Sequence, residues 1–243
     1  MKHLLVLFLF ISTSSIAQKT ALKVTINSIT FEDTKPSKRN YFIKYQIENT
    51  TKNEVSFFLI PQTLIAHTAS SMTLYSVYKL YRNGVLETMD GPFMESPIPE
   101  LNEYDDFEDK KSPEAKAFVE KINKKYRDEN KLTLENYKKK GGQSKDEKFI
   151  LDNNELVKSK ITLQPCETKY FEIKTNWDKN RYIKNDDFEF YLDEKDKFEF
   201  ELNLILNKTN RKDRLLQVDF EKFLNDPNFL EGTFVSNKVA IFF

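Results

Sequence analysis

Cysteine, histidine and glycine are scarce in this chain of 243 residues, which holds one cysteine, two histidines and five glycines. Cys166 has no second thiol to pair with, so no intrachain disulfide forms and stability falls to the apolar core. Structural zinc needs several His or Cys ligands, and the chain does not supply them. Beyond His3 only His67 remains, so a Ser-His-Asp or Cys-His site would have to use it, and no Gly-x-Ser-x-Gly pattern surrounds any serine. A glycine-rich phosphate loop is absent. No stretch approaches the roughly 20 apolar residues that span a bilayer, so no stable membrane insertion is expected. Neither sign of charge is in excess, with 38 basic and 38 acidic residues. That balance argues against nucleic acid or an anionic membrane as a general partner. These absences leave no catalytic signature, and neither a metal nor a cofactor is expected.

The amino terminus has the pattern of a secretory signal peptide over residues 1–17: Lys2 and His3, an apolar run from Leu4 to Ile11, then Ser15 and Ala17 at the small-residue positions before a cleavage site. No cysteine follows that run to accept a lipid. The expected location is secreted or periplasmic, and the oligomeric state stays open.

Aromatic residues are plentiful, with 21 Phe and 11 Tyr. Phe198, Phe200, Leu202, Leu204 and Leu206 alternate with Glu199, Glu201, Asn203 and Ile205, the period of a half-buried strand. Leu22, Val24 and Ile26 alternate likewise before the phase slips at Asn27 and Ser28 to Ile29 and Phe31, which predicts a bulge. A turn at Pro36 leads to a clean strand through Tyr41, Ile43, Tyr45 and Ile47. Residues 55–60 are almost wholly apolar up to Pro61, as a central strand covered on both faces would be. Asn83-Gly84 between Tyr81 and Val85 predicts a hairpin, because both residues tolerate positive φ.

From about residue 90 to 150 the pattern breaks. Gly91, Pro92, Pro97 and Pro99 cannot continue a ladder, and Ser112-Pro113-Glu114 is a helix start with a capping hydroxyl and proline in the first turn. Phe118, Ile122 and Tyr126 form one apolar stripe, expected to lie on the tyrosine-rich strand at 72–81. A second short helix is expected over 134–140, ending at Gly141 and Gly142. Strands resume with Val157, Ile161 and Leu163, then Phe171 and Ile173; residues 177–187 read as a polar loop. Phe220, Phe223 and Leu224 suggest a helical turn, and Val235, Val239, Ile241 and Phe243 a last strand. The whole predicts a mostly β chain: one antiparallel β-sandwich domain over 18–243 with a helical insertion at about 90–150.

Residues 156–175 and 233–242, above all Ile161-Thr162-Leu163-Gln164-Pro165-Cys166-Glu167, resemble strands of bacterial immunoglobulin-like envelope domains. Glycine commonly stands in that pattern where Cys166 stands here. The resemblance implies an immunoglobulin-like sandwich and an envelope location, and no activity.

Candidate partner-binding residues are Trp177, Arg181 and Tyr182 in the loop, and Phe93, Met94 and Ile98 in the proline-rich segment, since aromatic and arginine side chains anchor interfaces and prolines stiffen a presented loop. Asp105, Asp106, Glu108 and Asp109, and Asp186, Asp187, Asp193 and Asp196, form two acidic clusters that match no calcium loop and read as solvated surface. Asn49 and Asn207 open glycosylation-type triplets that carry no meaning in a bacterial chain. The function expected is a non-catalytic binding module for a protein or glycan. The alternatives are a hydrolase using two carboxylates with Trp177 and Tyr182 gripping substrate, or an inhibitor or chaperone-like factor acting through residues 90–112.

Overall fold

A computed structural model describes residues 20–68, 74–87, 93, 104, 107–144, 146–179 and 195–243. Residues 1–17, Met94, Ile98, Asp105, Asp106, Arg181, Tyr182, Asp186, Asp187 and Asp193 lie outside them. The strands are β1 (Leu22–Lys35), β2 (Lys38–Asn49), β3 (Val55–Phe58), β4 (Ile60–Ala66), β5 (Tyr75–Arg82), β6 (Val85–Leu86), β7 (Lys160–Leu163), β8 (Thr168–Asp178), β9 (Phe198–Leu206) and β10 (Gly232–Ile241). The helices are α1 (Pro113–Lys139), α2 (Glu147–Lys158) and α3 (Gln217–Leu224), with a 3-10 turn at Thr209–Arg214.

The chain is mostly β with a helical insertion. Strict alternation places Tyr41, Ile43, Tyr45 and Ile47 of β2 wholly inside, and Phe198, Phe200, Leu202, Leu204 and Leu206 of β9 beside them in one apolar cluster. β2 is the middle strand of the sheet β1-β2-β8, and β9 lies within the sheet β10-β9-β5-β4. These pairings are antiparallel except β4 with β5, which runs parallel and so departs from the all-antiparallel expectation.

The slip in β1 is a bulge between Ile26 and Ser28, as its phase change predicts. β10 has its own irregularity between Val235 and Lys238, and there Asn237 reaches across to β1. Its Oδ1 accepts from the Ile26 N–H at 2.8 Å and its Nδ2 donates to the Ile26 carbonyl at 3.3 Å. One carboxamide thus does what a neighbouring strand would do, because it carries the same donor and acceptor as a peptide group.

β3 is buried on both faces, as expected, but it is not central. It pairs with β7 in a two-stranded ribbon, and its alternating side chains enter different cores. Phe57 joins the main cluster, while Phe58 joins a second one with Leu74, Leu156, Leu215, Phe220, Phe223 and Phe229. Helices α2 and α3 sit on that second core. β9 is also covered more fully than expected, since Glu201 and Asn203 on its other face are buried too.

The insertion differs from expectation in three ways. First, α1 runs unbroken through Lys139 instead of restarting at 134, because residues 127–133 contain no glycine or proline to stop it. Second, a helix over Glu147–Lys158 takes up Val157, which the alternating pattern assigned to a strand. Third, α1 packs beside α2 and not on the tyrosine face of β5. Both faces of β5 are already occupied: on one, Tyr78 is inside the main core, and on the other, Tyr81 donates to Glu201 at 3.2 Å with the Lys238 ammonium 3.4 Å above its ring. The Asn83-Gly84 hairpin forms as predicted, with φ of 51° and 83° and Arg82 opposite Val85.

Candidate functional site: a cleft between the helices

Each wall of the cleft is set by local signals. Ser112 caps α1, its Oγ accepting from the Ala115 N–H at 3.1 Å, with Pro113 in the first turn. At the far end Gly141 takes φ of +81°, and Gly141 and Gly142 return their N–H groups to the carbonyls of Lys138 and Tyr137. A side chain at Gly142 would strike the Tyr137 ring, so glycine there lets the chain turn tightly round it. The Tyr137 hydroxyl in turn accepts from the Ser144 N–H at 3.2 Å.

Asp146 caps α2 through the Phe149 N–H at 3.0 Å, and α2 folds back along α1, with Asn154 reaching Thr133 at 3.4 Å. α3 starts at Leu216, which has no capping side chain of its own. Asn153 of α2 supplies one from outside: its Oδ1 accepts from the Leu216 N–H at 2.7 Å, and its Nδ2 donates to Asp219 Oδ2 at 3.4 Å. That pair ties α3 to the insertion.

Between these helices lies a cleft of about 570 Å³, within the range of roughly 300–1,000 Å³ typical of ligand sites. Its apolar lining includes Leu132, Ile150 and Leu216, and its polar lining includes the carboxamides of Asn136, Asn153 and Asn154. Glu129 and Asp219 offset Lys140 and Lys158, so the lining carries no net charge. Leu132 is 55% exposed although it faces this hollow. The lining offers amides, hydroxyls, carboxylates and ammonium groups, each able to hydrogen-bond a ligand.

The residues singled out from sequence lie elsewhere. Phe93 and Trp177 were expected to offer surface to a partner, but both are buried. Phe93 sits among Tyr41, Tyr78, Phe200 and Phe243 with ring centroids 5.2–6.2 Å away. Trp177 belongs to β8 and not to a polar loop; it bridges to Phe93 and meets Phe243 edge-on at 5.1 Å. Burying such large apolar surfaces is worth more inside than presenting them. Met94, Ile98, Arg181 and Tyr182 lie outside the described residues.

His67 makes no side-chain hydrogen bond among the described residues, and burial, then Lys79, holds its imidazole below the ordinary range. Glu201 is the one buried carboxylate among the described residues, so they form no buried pair of acids. They also hold no group of three or more His, Cys, Asp or Glu placed for a metal. Asn49 is fully buried, its Nδ2 spent on the carbonyls of Asn53, Leu163 and Gln164, which removes it as a glycosylation acceptor.

Sequence reasoning missed Asn153, Asn154, Leu132 and Asp219. The signal was present in Asp146 followed by Phe149, Ile150, Leu156 and Val157, a cap ahead of a helical stripe. No protein-family model, curated protein or solved structure matches the chain, so its functional reading rests on its own residues and their geometry.

Proposed function

We propose that this chain is a non-catalytic, secreted or envelope-associated binding module, and that the cleft between α1, α2 and α3 is where its partner docks. The observation that carries this is α1 itself. Over 27 residues it buries only Ala115 and Ile122, whereas a helix of that length on a globular protein ordinarily buries a full apolar stripe. In its distal half Leu132 and Tyr137 line an open cleft. Helices α2 and α3 are anchored on the second core, so they hold the cleft's other wall in place. The signal-like pattern of residues 1–17 and the likeness of β7, β8 and β10 to immunoglobulin-like envelope strands support the location.

The test is capture from native envelope extract with the full chain and two variants. Leu132→Arg is exposed and blocks the cleft; Tyr170→Ala is 73% exposed on β8 and leaves it untouched. The expected outcome is a specific partner held by wild type and by the Tyr170 variant and lost from the Leu132 variant. Capture that survives Leu132→Arg, or no capture at all, rejects the reading.

A further inference from the structure

We propose that the cleft takes an uncharged peptide segment in extended form, its main chain held by the carboxamides of Asn136, Asn153 and Asn154 and one apolar side chain set against Leu132 and Ile150. This rests on the cleft being the docking site. Three observations select that occupant. The first is charge: two acids and two lysines on the lining cancel, so neither an acidic nor a basic segment gains from entering.

The second is unspent hydrogen-bonding capacity of peptide type. Asn153 is only 8% exposed, yet with its oxygen on Leu216 and one amide hydrogen on Asp219 it keeps a second hydrogen with no partner among the described residues. A buried donor left unmade is costly, and a carbonyl in the cleft would satisfy it. The side chain of Asn136 makes no hydrogen bond within the described residues, its backbone carbonyl being spent on the Lys140 N–H, and the side-chain oxygen of Asn154 is likewise unused. A carboxamide presents one acceptor and two donors, which matches the alternating N–H and C=O of an extended chain. A helical ligand offers neither, because its backbone groups are bonded internally.

The third is size. A helix about 10 Å across would fill about 570 Å³ in roughly 7 Å, hardly more than one turn and too short to present a stripe. An extended segment places several residues with alternate side chains in or out.

The probes are the blocked peptide acetyl-Ala-Leu-Ala-Val-Ala-amide, analogues with Glu or Lys in place of the alanines, a neutral sugar (chitotriose), and dilution of the protein alone. The readout is the side-chain amide NMR signals of the three asparagines. The neutral peptide should shift all three and saturate, both charged analogues should bind more weakly, and Asn136→Ala should weaken the peptide about tenfold, as loss of a hydrogen-bonding pair would. Asn136→Asp, exposed and of the same shape, guards against a folding artefact and should weaken it too. Silence of these signals towards the peptide overturns the proposal, as do shifts with chitotriose alone or on dilution, which would assign the cleft to a glycan or to a second copy. If the peptide is silent while Leu132→Arg still abolishes partner capture, the docking site stands and only its occupant is wrong. If the peptide binds while capture ignores Leu132→Arg, the occupant stands and the module's proposed use of the cleft falls.

Discussion

Cys166 stands with φ of +59° in the turn between β7 and β8, a left-handed conformation that costs a residue with a Cβ about 1–2 kcal/mol. The resemblance of residues 161–167 to a pattern with glycine at that place therefore has a conformational basis, legible because the turn is local. Glycine gives back part of the gain through the greater freedom of the unfolded chain, about 0.5–1 kcal/mol. Cys166→Gly is expected to raise stability by about 0.5–1 kcal/mol and Cys166→Val to lower it by about 1 kcal/mol, read from urea midpoints. The reverse order would show that the thiol makes interactions that outweigh the strain.

Asp33 shows how a residue's titration follows from its neighbours. The Arg39 guanidinium, with bonds of 2.7 and 3.0 Å, and then Lys179 at 3.2 Å hold its carboxyl down from 3.8 to about 2. A depressed folded value stabilises above the unfolded one and ceases to do so as pH falls through the folded one. The wild type should therefore exceed Asp33→Asn by a constant margin above pH 3.8, and the margin should vanish as pH falls through about 2. A margin independent of pH would mean that the pair contributes through shape alone. Sequence offered no sign of this pair, because it depends on the β1–β2 register bringing Asp33 opposite Arg39.

At the scale of elements, the strands were the most legible part. Alternation alone located the inward faces of β2 and β9, and its break located the β1 bulge. What it missed was the use made of that bulge, since Asn237 is 211 residues from Ile26 and nothing local links them. Asn237→Ala removes both bonds and leaves the Ile26 backbone groups without them, so it should cost about 1–3 kcal/mol in equilibrium unfolding. A cost near zero would mean that water replaces the carboxamide and the two strands need no clasp there. The helices were half legible. The start and stop of α1 follow from Ser112-Pro113 and Gly141-Gly142, whereas its continuity was obscured by reading Leu134 as a new beginning. The end of α2 reads as strand because Val157 lies close to Ile161 in sequence, and two-residue alternation over so short a stretch cannot separate the two forms.

On the scale of the whole molecule, the division into two cores explains how a sheet-built body carries helices. Adjacent residues Phe57 and Phe58 point to opposite faces of β3 and so serve different cores. Each truncation to alanine should cost about 3–5 kcal/mol if its core is well packed. Their signatures should differ: in native-state hydrogen exchange Phe58→Ala should release the amides of α2 and α3 while those of β2 stay protected, and Phe57→Ala should release β2 and β9. Equal release everywhere would merge the two clusters into one cooperative core. The cleft was invisible in the sequence for the same reason as the second core, since both need α3 to meet α2, about 60 residues before it in the chain, with α1 adding the cleft's other wall and Phe58 and Phe229 the rest of the core.

The central claim is that the open cleft on the insertion, and not the faces of the sheets, meets the partner. Site-specific photo-crosslinking of the full chain in native envelope extract tests it most directly, with the reactive side chain at Leu132 in one preparation and at Tyr170 in the other. A discrete adduct from position 132 and none from position 170 is the predicted result. An adduct from position 170, with position 132 silent, would contradict the account.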